Sequence, residues 1–270
     1  IANLPSRFSE PSRRREHDAA FPNNLRVTDG AVAPGPRLAV FVIYQPHGVA
    51  ASTRDTCQEL VAAGYALLVI SNAPLSAEDR ELFREMCWRV VERPNFGYDF
   101  GAYRDGIHLI RDADLTPDRL ILMNDSFWCS VTPELLGRID ALDADLAGLL
   151  QDEKVQHDTK GGSPTHKMHI ESYFCSITAR LWSAEAFKAF WEAYPMTDHK
   201  PNTIKNGEIG FSRAIAGAGF KLAALTNRSK FMAAMSESTK EELCKTLRYA
   251  AYDDQKFRTE ADALLSRPAD

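Results

Sequence analysis

Three places in this 270-residue chain carry side chains whose type and setting could do chemistry. The first is Asp125, which follows the apolar run Leu120-Ile-Leu-Met123 and stands between Asn124 and Ser126. A carboxylate where a buried strand leaves its sheet is exposed at a ligand rim. It can hold a divalent cation that bridges phosphate oxygens, because Mg²⁺ typically takes one or two protein carboxylates with phosphate and water. An Asp there is also a common turn residue. The second place is Asn95-Phe-Gly97-Tyr-Asp99-Phe-Gly101, with Gly106 beyond it. Its glycines permit close backbone approach, and Asp99, just ahead of a helix, can bond a ribose or a base. The third is Glu208, behind Asn206-Gly207 at a helix start. The helix dipole favours an anion there, and the turn would present the carboxylate outward. Glu171, in His169-Ile-Glu171, is a strand carboxylate that faces either a site or solvent. On spacing alone each of these is as readily a turn or first-turn residue.

The elements that must position them alternate. Leu38-Ala-Val-Phe-Val-Ile-Tyr44, Tyr65 to Ile70, Trp88-Arg-Val-Val91 and Leu120 to Met123 read as buried strands. Helices fall between them: one opening on the capping-box pattern Ser52-Thr-Arg-Asp55, one capped by Ser76, and one from about Phe100 to Ile110. Helices between successive strands imply parallel pairing with right-handed crossovers. The fold class is therefore α/β, an open, mostly parallel sheet with helices on both faces. Ligands of such sheets bind at the carboxyl ends of the strands, which puts Ser71-Asn72, Asn95 to Asp99 and Asn124-Asp125 on one rim. Further on, Thr132-Pro133 starts a helix, and Asp145 to Leu150 and His169 to Thr178 read as strands. Residues 151–168 read as a long polar loop carrying His157, His166, Lys154, Lys160 and Lys167. With His169 at its edge, this loop lacks any zinc-ligand spacing and suits a mildly basic flap over phosphates. Phe187, Phe190, Trp191 and Tyr194 share one helical face and read as core. The expected organisation is an extended arm over 1–36, one domain over 37–228, and a helical tail over 229–270 that packs on it.

Bulk properties exclude several classes. A net charge of -5 and a pI near 5.9 argue against nucleic acid as the main partner. The five cysteines, at 57, 87, 129, 175 and 244, are odd in number and form no Cys-x-x-Cys, which points to a reducing compartment and no structural zinc. No apolar run approaches the roughly 20 residues that span a bilayer, and no signal peptide is visible. The chain opens on Ile rather than Met, as a piece of a longer product would. The spacing Gly97-x-x-x-Gly101 is not the dinucleotide fingerprint, and both Gly-x-Ser-x-Gly and His-Glu-x-x-His are missing.

Ile70-Ser71-Asn72-Ala-Pro74, Asn95-Phe-Gly97-Tyr-Asp99-Phe-Gly101-Ala102, Leu122-Met-Asn124-Asp125-Ser126 and His169-Ile-Glu171-Ser-Tyr173-Phe174 together resemble the rhamnan synthesis protein F family, glycosyltransferase-like proteins of bacterial surface-polysaccharide assembly. The likeness runs from about Leu38 to Leu225. More loosely, these elements resemble GT-A glycosyltransferases of the family 2 kind. That resemblance implies a GT-A-like nucleotide-sugar fold, with Asn95 and Gly97 matching an Asn-x-Gly segment, Asp125 a metal motif and Glu208 a catalytic base. Two departures stand out: Asn124-Asp125-Ser126 has one carboxylate where the metal motif has two, and Glu208 is followed by Ile209 rather than a second acid. Metal binding is accordingly weakened or dispensable. The implied activity is inverting transfer of a deoxyhexose, L-rhamnose from a dTDP donor, onto a growing glycan. Glu208 would be the base, with Glu171 a second catalytic carboxylate. Ser71, Asn72, Asn95, Gly97, Asp99, Asn124, Asp125 and His169 would bind the nucleotide sugar, and Asp125 would hold Mg²⁺ or Mn²⁺. The implied partners are the nucleotide-diphosphate sugar and the glycan acceptor. The implied place is the cytoplasm, at the inner face of the membrane. The competing readings are a noncatalytic nucleotide- or glycan-binding module of an assembly complex and, further off, nucleotidyl transfer.

Overall fold

The computed structural model describes residues 4–156, 165–249 and 255–266, with side chains described over 10–153, 168–247 and 256–266. Helix α1 (Leu4–Ala20) replaces the extended arm that the sequence suggested. Its Glu10, Arg13, Arg14, His17 and Asp18 recur at helical spacing, and each finds a partner in the 192–198 segment or on the later helix Tyr98–Asp112. Strand β1 (Arg26–Asp29) follows, antiparallel to the later strand Arg89–Glu92.

The expected α/β block comes next. It comprises β2 (Arg37–Ile43), α2 (Ala51–Ala62), β3 (Ala66–Ser71), α3 (Ala77–Met86), β4 (Arg89–Glu92), α4 (Tyr98–Asp112) and β5 (Arg119–Asn124). These four strands pair in parallel in the order β4-β3-β2-β5. Alternate residues of each strand enter different cores, which is why the strands read as continuous apolar runs. Leu38, Val40, Val42 and Leu122 pack beneath α4, with Trp191 and Phe211. Ala39, Phe41, Ile43 and Met123 pack on the other face with Cys57 of α2 and Phe83 of α3. Ser76 caps α3 by accepting from the Asp79 N–H. The start of α2 departs from expectation. Its N-cap is Ala50, and the neighbouring donor is satisfied by Gln45, whose Oε1 accepts from the Ala50 N–H at 2.8 Å.

Beyond α5 (Pro133–Asp140) the sheet turns antiparallel: β5 pairs β8 (Phe174–Thr178), and β8 pairs β6 (Leu146–Gln156). Strand β7 (Thr165–Ile170) forms a hairpin with β6, so much of the expected polar loop is strand, held by the register Gln151↔Ile170 to Gln156↔Thr165. His157 and Lys160 of that loop lie outside the described residues, as do the side chains of Lys154, His166 and Lys167. The single strand expected over 169–178 is broken at Glu171–Tyr173, between β7 and β8. Helices α6 (Ala179–Trp182) and α7 (Glu185–Ala193) bring Phe187, Trp191 and Tyr194 into the core, as their spacing required. A short turn, α8 (Lys200–Asn202), runs into a π-helical turn over Thr203–Glu208 and then α9 (Ile209–Gly217). Strand β9 (Leu222–Asn227) adds to β6 in parallel, and α10 (Arg228–Glu237), α11 (Lys240–Tyr249) and α12 (Gln255–Leu265) follow. Among the described residues, no helix is long and apolar enough to cross a membrane.

Candidate active site

The carboxyl ends of β2, β3, β4 and β5 share one rim, carrying Tyr44-Gln45, Asn72, Arg93 and Asn124-Asp125 in turn. Across from this rim lie the β7–β8 break, the π turn and the start of α10. Between them opens a cavity of about 380 Å³, lined among others by Asp99, Asn124, Asp152, Glu171, Glu208 and Arg228. That is within the usual range for small-ligand pockets.

Asp99 arrives by way of a left-handed turn. Gly97 has φ 81° and Tyr98 has φ 51°, a conformation that a bulky residue adopts only where its surroundings enforce it. Here the Gly97 N–H donates to Asp198 Oδ1 at 3.1 Å, and the Tyr98 hydroxyl donates to the Asp198 carbonyl at 2.9 Å. Gly101 closes the turn from below, where a Cβ would stand 2.3 Å from the Phe96 carbonyl oxygen. Asp99 Oδ2 then accepts from Asn124 Nδ2 at 2.6 Å. Burial, and next to it the Asp125 charge, push the Asp99 carboxyl up to about 7.

A buried polar chain anchors this turn. Arg93 and Asp105 are both fully buried, with Arg93 Nε donating to Asp105 Oδ2 at 2.8 Å. Arg93 also donates to Asn72 Oδ1 at 2.8 Å and to the Phe96 carbonyl at 2.7 Å. His17 Nε2 of α1 meets the other Asp105 oxygen at 3.0 Å. This network escaped the sequence reading. Its one signal was an arginine placed directly after a strand end.

Glu208 does not face outward, as its Asn-Gly turn suggested. The π turn carries Gly207 against the Phe100 ring, where a Cβ would sit 2.7 Å from the ring, and delivers the Glu208 side chain inward. Such turns occur often at functional sites. Glu208 Oε2 accepts from the Ser172 hydroxyl at 2.8 Å and the Ser172 N–H at 3.2 Å, and Oε1 lies 3.4 Å from His169 Nε2. Burial alone would raise this carboxyl, but the neighbouring His169 and the bonds from Ser172 outweigh it and hold Glu208 below the usual glutamate range. Glu171, on the same break, is shifted the opposite way by burial and by the Glu208 charge.

Of the residues singled out from the sequence, Asp99, Asn124, Glu171 and Glu208 line the cavity, and His169 stands behind Glu208. Gly97 shapes the turn, and Asn95 is exposed beside it. Ser71 is buried and donates to the Ala73 carbonyl at 2.6 Å, while the Asn72 oxygen is taken by Arg93. Neither reaches the cavity lining. The sequence reading missed Asp152, Ser172, Lys200 and Arg228, which lie far apart along the chain and meet only here.

A divalent cation does not fit Asp125 as placed. Its Oδ2 already accepts from the Tyr44 N–H at 3.0 Å and from Gln45 Nε2 at 2.9 Å, and it is outside the cavity lining. Asp152, His169 and Glu171 form a better donor set, with ligand atoms within 4.8 Å of one another. Arg228, however, already occupies the cation's place. Its Nε donates to Asp152 Oδ2 at 2.6 Å and its Nη2 to Glu171 Oε1 at 2.9 Å.

The rhamnan synthesis protein F profile matches residues 67–244, well over half of the chain. The chain belongs to the rhamnan synthesis protein F family. All the cavity-lining residues fall inside the matched segment, whereas α1 and α12 lie outside it. The chain is also similar to the uncharacterized protein y4gN of Sinorhizobium fredii (strain NBRC 101917 / NGR234), 30% identical over 227 residues. That alignment covers 83% of this chain and 57% of y4gN, so the chain spans little more than half the length of the curated relative it matches. Among solved structures, the chain is similar in part to the glycosyltransferase GlyE of Streptococcus pneumoniae TIGR4, at 13% identity and a TM-score of 0.37 over 70% of this chain and 45% of that one. It is also similar in part to a glycosyltransferase involved in glycosylation of the major capsid of PBCV-1, at 13% identity and a TM-score of 0.32 over 64% and 76% of the two chains.

Proposed function

We propose that this rhamnan synthesis protein F chain is an inverting glycosyltransferase on a GT-A-like frame. It moves a deoxyhexose, L-rhamnose in the reading that the family name favours, from a nucleoside-diphosphate donor to a growing glycan. One observation carries the proposal: Glu208 is an inward carboxylate at a small polar cavity, kept ionised by His169 and Ser172. A general base has to be deprotonated and within reach of the hydroxyl it serves. In the proposed step the acceptor oxygen attacks the anomeric carbon while its proton passes to Glu208. The bond from that carbon to the diphosphate oxygen breaks on the opposite side, and its electron pair leaves with the diphosphate. A single displacement of this kind inverts the anomeric centre. His169 and Ser172 are positioning residues that aim the Glu208 carboxylate, and Asn124 with Asp99 forms the wall beneath the donor.

The test is Glu208→Gln. Sugar transfer should fall by roughly 10²–10⁴-fold, the usual contribution of a positioned base, while calorimetric binding of the nucleoside diphosphate stays within a factor of about two. An unchanged transfer rate removes Glu208 from the role of base. Nucleotide binding by the wild-type chain with no turnover on any donor would instead favour a noncatalytic binding module.

A further inference from the structure

The carboxylates around the cavity are already served by donors of the protein itself. Glu208 is bonded by Ser172, Asp99 by Asn124, and Asp152 and Glu171 by Arg228. Two cations of the lining keep hydrogen-bonding capacity unspent. Arg228 uses Nε and Nη2 on its two carboxylates, and its Nη1 has no hydrogen-bond partner among the described residues. Its side chain is 56% exposed and lines the cavity. Lys200, also in the lining and near enough to act on the Asp99 charge, has an ammonium with no hydrogen-bond or ion-pair partner among the described residues. The two cations come from α10 and α8, on the side of the cavity that also carries Glu208.

We infer that Arg228, with Lys200 beside it, binds the diphosphate of the donor in place of a divalent metal, so that donor binding and transfer proceed without one. This inference rests on the glycosyltransferase reading of the cavity. Asp152 and Glu171 act as a bracket: two carboxylates on Nε and Nη2 fix the plane of the guanidinium and leave Nη1 for phosphate oxygens. A guanidinium suits that task because it is planar, permanently charged and able to form several directed bonds. When the bond between sugar and diphosphate breaks, the negative charge appears on the terminal phosphate oxygen, and a cation already in position stabilises it without reorganisation. The same bracket explains why a carboxylate–imidazole set of metal-binding type can stand here without serving a metal. The Arg228 charge fills the space between the two carboxylates.

The test uses the whole chain with dTDP, UDP and GDP as probes, in calorimetry with EDTA and then with Mn²⁺, alongside a Mn²⁺ titration followed by electron paramagnetic resonance. The expected result is binding of one diphosphate in EDTA, unimproved by Mn²⁺, and no Mn²⁺ uptake by the wild-type chain. Arg228→Ala should weaken diphosphate binding at least about tenfold, the cost of one charge-assisted contact. With the bracket vacated, the same variant should take up Mn²⁺ through Asp152, His169 and Glu171. Arg228→Lys, which keeps the charge but loses the fork, should bind diphosphate at an intermediate level and take up no Mn²⁺. It also serves as the control for folding. Diphosphate binding that requires Mn²⁺ in the wild-type chain, or Mn²⁺ uptake with Arg228 in place, overturns the inference and leaves the transferase reading standing. No diphosphate binding under any condition overturns both.

Discussion

Asp105→Asn is the most decisive perturbation of the frame that sets the site. The substitution preserves shape but removes the carboxylate facing Arg93, whose guanidinium is fully buried and cannot reach water. Breaking a buried ion pair from one side costs about 3–5 kcal/mol, because the remaining charge stays desolvated and uncompensated. At 2–4 °C per kcal/mol for a domain of this general size, the melting temperature should fall by roughly 10 °C. The effect should spread to the site, since Arg93 also holds the Asn72 side chain and the Phe96 carbonyl, and through them the turn that aims Asp99. The assay is thermal and urea unfolding of wild type, Asp105→Asn, Arg93→Met and the double variant Arg93→Met/Asp105→Asn. Removing both partners should cost less than the two single changes added together, because no buried charge is left behind. A loss below about 1 kcal/mol for Asp105→Asn, or strict additivity in the cycle, would refute the view that this pair is a desolvated anchor.

Other consequences follow from the same geometry. Gly101→Ala places a methyl against the Phe96 carbonyl oxygen and should destabilise by about 1–3 kcal/mol in urea unfolding, with weaker nucleotide binding as the Asp99 turn moves. The Asp99 carboxyl is raised to about 7 in the folded chain against about 4 when unfolded, so the folded state binds the extra proton between those values. Stability from this group is therefore present at low pH and lost as pH climbs from about 4 to 7. Asp99→Asn should match wild type near pH 4 and melt higher than wild type at pH 8. A melting difference that is the same at both pH values would count against this assignment. Glu208 is shifted the other way, so the acid limb of the transfer rate should lie below the ordinary glutamate range. In Ser172→Ala, which removes one of the bonds holding that carboxylate ionised, the limb should move to higher pH. The pH profile of kcat/KM is the readout.

How much of this was legible in the sequence depended on the range of the interaction. The parallel block declared itself because strands buried on both faces must be apolar throughout, as Leu38–Tyr44 and Tyr65–Ile70 are. Ser76 and Thr132 could be read as caps because a cap is satisfied within three residues, and both accept the N–H their position predicts. The hairpin of β6 and β7 was hidden because its outer half is polar and what identifies it is the register between the two strands, not composition. The inward turn of Glu208 was hidden for a related reason. Asn206-Gly207 looks like a surface turn, and only the Phe100 ring, more than a hundred residues earlier, explains why no side chain fits at 207.

The same distinction decides what Asp125 means. Its type and place invited a metal, yet the two N–H groups that reach it come from Tyr44 and Gln45, at the end of the neighbouring strand. In a parallel sheet the carboxyl end of one strand lies against that of the next, so a rim acid can be consumed in fastening two strand ends together. Meanwhile the acids that do face the cavity are held by partners from β8's approach, from α10 and from the strand-end Asn124. A carboxylate on this rim is thus better judged by which donors reach it than by its resemblance to a motif. By that measure the site's electrostatics are set by Glu208 as the anion and Arg228 as the cation, 20 positions apart on either side of α9 and β9.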